Sequence, residues 1–95
     1  MYSIYVVFKS FPGKREEFIK KVNAEGLADA VRAENGCICY DYYFSEKDEN
    51  EILLIEKWES KNHQQVHLDQ PHMVRLREFK GDYIETTTLG EFEIK

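Results

Sequence analysis

An α+β fold, in the order strand, helix, strand, strand, helix, strand, is predicted by three features of this 95-residue chain. Four short runs are rich in β-branched and aromatic residues. Two helix-length stretches separate the first run from the second and the third from the fourth. Turn-forming residues, Pro12-Gly13, Asn35-Gly36 and Gly81, fall at the joints.

Tyr2 to Ser10 (YSIYVVFKS) is apolar at both parities, as suits a central strand covered on both faces, and Pro12-Gly13 ends it. From Lys14 to about Glu34 helix formers dominate, with Phe18, Ile19, Val22, Leu27, Ala30 and Val31 along one side and Gly26 as a weak point. Asn35-Gly36 stops that helix, and Cys37 to Ser45 (CICYDYYFS) reads as the second strand. After the polar turn Glu46 to Asn50, the third strand Glu51 to Glu59 puts Ile52, Leu54, Glu56 and Trp58 on one face and Leu53, Ile55 and Lys57 on the other. Ser60 suits the cap of a short helix from Lys61 to about Asp69. Pro71 restarts the helix, with Gln70 as its cap, and it runs to Lys80 along an apolar line of Met73, Leu76 and Phe79. Tyr83 to Ile94 closes the chain as a strand with Ile84, Thr86, Thr88, Phe92 and Ile94 on one parity and a bulge at Gly90.

This order is the split β-α-β, ferredoxin-like arrangement, a four-stranded antiparallel sheet with both helices on one face. The other face, apolar in the first and third strands, would be a large exposed patch in a monomer, so a homodimer joined through the sheet faces is expected. The length fits one domain, residues 1–95, which would bury only a little over about 60% of its unfolded surface if monomeric.

A net charge of −5, with no Lys/Arg run longer than two, argues against nucleic acid or an anionic membrane as partner. No apolar run approaches the roughly 18 residues of a spanning helix, and the first residues lack the basic-then-apolar order of an export signal, so the expected compartment is the cytoplasm. Cys37 and Cys39 sit two apart in a strand, on one face by simple alternation and beyond disulfide reach, and read as reduced structural thiols.

The stretch Glu56 to His72 (EKWESKNHQQVHLDQPH) holds the only Trp, all three His and one of the two Pro. His63 and His67 lie four apart on one helix, and His72 follows across Pro71. Neutral imidazole suits a general base near pH 7 without a cofactor. A metal could use His63, His67 and His72, or two of them with Glu56, but no HExxH or paired acidic motif accompanies them, so a metal-free site is expected. His63, two residues into its helix, is the member expected in solvent. Glu56 on an apolar strand must reach the sheet rim, pair with a cation, or sit near a cavity with a raised pKa. Trp58 would offer a flat wall to an aromatic ligand, and Tyr40 and Tyr42, sharing a parity that Tyr43 does not, could add hydroxyls.

The segment IEKWES (Ile55 to Ser60), then HLDQPHM (His67 to Met73) and KGD (Lys80 to Asp82), resembles the antibiotic biosynthesis monooxygenase domain family, nearest its quinol monooxygenase branch. The resemblance covers nearly the whole chain. It implies a dimeric α+β barrel and oxygenation of a small, reduced, quinol-like aromatic by O2 with no cofactor. It implies His67 and His72, which match the family's His positions, as the catalytic pair, one of them base or hydroxyl anchor, and Trp58 as cavity wall. Glu56, Tyr40, Tyr42 and Leu54 are the further residues expected around the substrate from their strand positions. Leu54 stands where some family oxygenases carry a substrate-binding Asn, and Arg77 stands where haem-degrading relatives carry an iron-binding His. Haem degradation is therefore not expected. Two other functions fit the same resemblance: isomerisation of a phosphorylated sugar-derived signal, and a non-catalytic dimeric module that binds ligands or serves a stress response.

Overall fold

Alternation along the chain decides which side of the sheet meets the helices. In a computed structural model, which describes residues 1–93, the strands are β1 (Tyr2–Ser10), β2 (Cys37–Phe44), β3 (Glu51–Trp58) and β4 (Ile84–Glu91). They form one antiparallel sheet in the order β2-β3-β1-β4. The helices are α1 (Arg15–Ala24), α2 (Leu27–Arg32), α3 (Lys61–His67) and α4 (Pro71–Lys80). This is the ferredoxin-like α+β fold, with each helical connection broken in two.

The even positions of β1 (Ile4, Val6, Phe8) and of β3 (Ile52, Leu54, Trp58) meet Phe18 and Val22 of α1, Leu27 and Val31 of α2, and Met73, Leu76 and Phe79 of α4 in one core. Phe18 is its centre, with ring neighbours Phe8 at 5.9 Å, Tyr83 at 6.0 Å and Phe79 at 6.2 Å. On the opposite face the odd positions Tyr5, Val7, Leu53 and Ile55 are half-buried, and Tyr43 is 52% exposed.

Four details differ from the sequence reading. The expected helix from Lys14 to Glu34 stops at Ala24, because Gly26 adopts φ 66° and turns the chain before α2 begins. A bulge between Cys37 and Cys39 sets Cys37 opposite Trp58 and Cys39 opposite Lys57, so the two thiols face opposite sides of the sheet. Gly90 pairs with Tyr5 in unbroken register, and the bulge against β1 lies instead at Lys9/Ser10. That bulge puts Ile84, paired with Ser10, on the helix side, whereas Thr86 and Thr88 pair with Lys9 and Val7 on the other. Ile94, expected on the last strand, lies outside the described residues.

Candidate functional site

Strand parity carries Glu56 and Trp58 to the helix side as neighbours, and the indole Nε1–H donates to the Glu56 carboxylate at 3.1 Å. In the adjacent strand Tyr40 lies opposite Glu56 and Tyr42 opposite Leu54. The Tyr40 and Tyr42 hydroxyls are 3.3 Å apart. Burial holds both phenols protonated, Tyr40 well above its ordinary value and Tyr42 pushed up to about 12.

Ser60 caps α3 by accepting the His63 backbone N–H at 3.3 Å, and Pro71 at the first turn of α4 supports the break between the helices. The break matters because His67 ends α3 and His72 opens α4, and both rings converge on one atom. His67 Nδ1 and His72 Nε2 each lie 2.7 Å from Glu34 Oε2. Since a carboxylate oxygen only accepts, both ring N–H groups donate to it, which leaves Nε2 of neutral His67 as a free lone pair. That atom is 3.9 Å from Glu56 Oε1. The His67 ring is 1% exposed and packs at 4.7 Å against Trp58 and 5.9 Å against Tyr40.

The electrostatics follow from burial. Glu56 is 5% exposed, has no Lys or Arg partner among the described residues, and is pushed up to about 7, chiefly by desolvation. The Trp58 hydrogen bond opposes that shift and the Glu34 charge reinforces it. His67 is held below its ordinary value by the same desolvation, against the upward pull of Glu34. Near neutral pH the favoured arrangement is an uncharged imidazole beside a carboxyl on the point of ionising.

Both groups look into a cavity of about 370 Å³ between the sheet and α3/α4. Ile4, Val6, Phe8, Leu54, Met73 and Leu76 form its apolar walls, Tyr40, Glu56 and His67 its polar end, and Arg77, Lys80, Thr87 and Leu89 also line it. Of the residues singled out in the sequence, Tyr40, Leu54, Glu56 and His67 thus line the cavity. Trp58 and Tyr42 stand behind it, and His72 touches Glu34 rather than the cavity. His63 is half-buried rather than solvated, with Nδ1 2.7 Å from Ser60 Oγ, and its ring covers Gly36.

Glu34 is the residue that sequence reading missed. It is one of 18 acidic residues, at the end of a helical stretch, and nothing local marks it. Its donor oxygen and those ring nitrogens of His67 and His72 lie within 4.8 Å of one another, a donor set of the type that holds zinc or a related divalent ion. The grouping differs from the sets weighed from sequence, since Glu34 replaces His63 and Glu56. In the geometry described, the two nitrogens instead share the Glu34 oxygen through hydrogen bonds.

Fold and site together define a small α+β domain with a mostly apolar cavity and a buried carboxylate–imidazole series at one end. The sequence model of the family described as antibiotic biosynthesis monooxygenase matches residues 1–78, and the chain belongs to that family. YcnE of Bacillus subtilis, whose name marks it as a candidate monooxygenase, is 32% identical over 72 residues, covering 76% of this chain and 74% of its own. The uncharacterized protein sll1783 of Synechocystis is 30% identical over 73 residues, 77% of this chain but 48% of the relative, so this chain spans about half of that protein's length. The crystal structure of PA3566 from Pseudomonas aeruginosa superposes with a TM-score of 0.87 at 20% identity, covering 99% of this chain and 93% of the other, a likeness of fold.

Proposed function

We propose that this protein is a cofactor-independent monooxygenase that oxidises a small quinol-like aromatic with O2. The observation that carries the reading is the free Nε2 of His67, aimed at Glu56 on the cavity side and anchored at Nδ1 by Glu34. A base fixed in tautomer and orientation, beside a mostly apolar pocket, is what deprotonating a phenol requires. Family membership supports the oxygenase class.

For the simplest quinol the balance closes without a reductant: hydroquinone and O2 give a hydroxyquinone and water, the ring supplying all the electrons. His67 Nε2 takes the hydroxyl proton. The phenolate passes one electron to O2, and the radical pair combines at a ring carbon to give a peroxide. Protonation to the hydroperoxide, then loss of the ring C–H proton with cleavage of the O–O bond, expels water and leaves the hydroxyquinone. Tyr40, held protonated, and Glu56, titrating near 7, are the groups able to donate on the return step. Glu34 keeps the imidazolium in place while it carries charge, and His72 extends the series away from the cavity.

The proposal includes a homodimer, in which a second copy's sheet covers Tyr5, Val7, Leu53 and Ile55. Sedimentation at micromolar concentration checks it, and a monomer would overturn it. Oxygen uptake with a panel of hydroquinones tests the chemistry. His67→Gln is expected to lower kcat/KM by about 10²-fold or more, and unchanged uptake would remove His67 from the mechanism. Isomerisation of a sugar-derived substrate would proceed equally well without O2, so an anaerobic assay separates that activity from oxygenation.

A further inference from the structure

The cavity has a second end. The Lys80 ammonium sits 4.9 Å over the Phe8 ring, and Arg77, one turn earlier on α4, lines the same space. Among the described residues neither cation has a carboxylate within 4.0 Å; Lys20, Lys47, Lys57 and Lys61 share that lack but do not line the cavity, and the exposed Arg77 donates through Nη2 to the Leu68 carbonyl at 3.0 Å. The chain is not short of acids, with 18 Asp and Glu against 13 Lys and Arg. Lys80 is half-buried, and its amine is held below the ordinary value by desolvation and then by the neighbouring Arg77 charge. A place in the last turn of α4 accounts for positive charge near a helix C-terminus. It does not account for a half-buried ammonium lying over the Phe8 ring with no carboxylate within 4.0 Å among the described residues. Lys80, with Arg77 beside it, presents positive charge to one apolar cavity, and an anionic ligand group would complement it.

The register fixes the spacing. Ile4 pairs with Glu56, and Phe8 lies four residues further along β1, about 13 Å at about 3.3 Å per residue. Glu56 and the Lys80 ammonium over Phe8 are therefore separated by more than one aromatic ring, with Arg77, bonded to the Leu68 carbonyl, on the His67 side of Lys80.

We infer that Arg77 and Lys80 form an anion-binding subsite, and that the ligand is a hydroxylated aromatic carrying a carboxylate on a short side arm. The acid lies at Lys80 and Arg77 and the ring hydroxyl at His67 and Glu56. The inference rests on the proposed reading for the reacting end. The cationic end stands on its own geometry.

The test is equilibrium binding to the whole protein without O2, so that it does not depend on turnover. The probes are 2,5-dihydroxyphenylacetate, its chain-extended propionate, their methyl esters, and a phosphorylated sugar with its unphosphorylated parent. The dihydroxyphenyl acids are expected to bind about tenfold or more tighter than their esters, the scale of one charge-assisted hydrogen bond. The preference should shrink with added salt. Lys80→Met, which keeps the aliphatic stem on Phe8, should abolish the preference while leaving ester affinity and Tm near wild type. Lys80→Arg should restore it. Equal binding of acid and ester by the wild type overturns the subsite, as does a preference that survives in a Lys80→Met, Arg77→Met double variant. A preference confined to the sugar phosphate keeps the anion subsite but overturns the aromatic ligand. Acid-selective binding with no oxygen uptake keeps the subsite and overturns the monooxygenase reading. Equal uptake and equal binding of acid and ester does the reverse.

Discussion

Replacing Glu34 by Gln isolates what its charge does. One carboxylate oxygen receives two imidazole N–H groups at 2.7 Å, with His67 fully enclosed. The carboxamide keeps the shape and one acceptor oxygen but makes both bonds neutral. A hydrogen bond to a charged group contributes about 1.5–3 kcal/mol and a neutral one about 0.5–1.5, so the loss is expected to be about 1–3 kcal/mol. In a domain of this size that lowers Tm by roughly 5 to 20 °C. The functional signature is separate. Glu34 is what pulls the His67 pKa upward against desolvation, so without it the ring becomes a still weaker base. The acidic limb of the kcat/KM profile should move to lower pH while the plateau falls about 10²-fold or more. Calorimetry at pH 7 and oxygen uptake from pH 5 to 9 provide both readouts. A variant with lower Tm but an unmoved acidic limb and plateau would reduce Glu34 to a structural brace. A variant unchanged in both would refute the argument entirely.

Glu56→Gln should act in the opposite direction on stability. The carboxyl moves from 4.5 in the unfolded chain to about 7 in the folded protein. The folded state therefore holds a proton that the unfolded state has released, and stability falls as pH rises from 4.5 through about 7. Gln keeps an acceptor for Trp58 Nε1–H and cannot ionise. It is expected to be more stable than wild type at pH 8 by up to about 3 kcal/mol, since each pH unit of displacement is worth about 1.4 kcal/mol. The gain should vanish near pH 4.5, and urea melts at the two pH values that show no difference would contradict the burial cost. Gly36→Ala probes the other histidine. The backbone there has φ 84°, and an added Cβ would lie 2.3 Å from the His63 ring. The left-handed conformation alone costs a non-glycine residue about 1–2 kcal/mol. Thermal melts should show a larger loss than that, with His63→Ala in the same chain recovering the steric part. A double variant no more stable than Gly36→Ala would rule out the ring contact as its cause.

The site was partly legible because some of it is set by short-range geometry. Alternation along β3 suffices to put Glu56 beside Trp58 on the helix side, and Pro71 suffices to break the helix between His67 and His72. Neither the sheet bulge at Cys37 and Cys39 nor Glu34 could be read the same way. A bulge is one residue inserted against a partner strand, and the sequence CICYDYYF alternates equally well without it. Glu34 is 33 residues from His67 and 38 from His72, so its role exists only once the chain is folded. Gly26 is the local residue that makes that meeting possible. An unbroken helix from Arg15 to Glu34 would run straight for about 30 Å at about 1.5 Å per residue, as long as the domain is wide, with extents of 35 × 32 × 17 Å. The left-handed turn at Gly26 instead starts a second, shorter helix, and its end delivers Glu34 to the gap between α3 and α4. What looked in the sequence like a flaw in a helix is, in the folded chain, the bend that lets a carboxylate reach the two histidines.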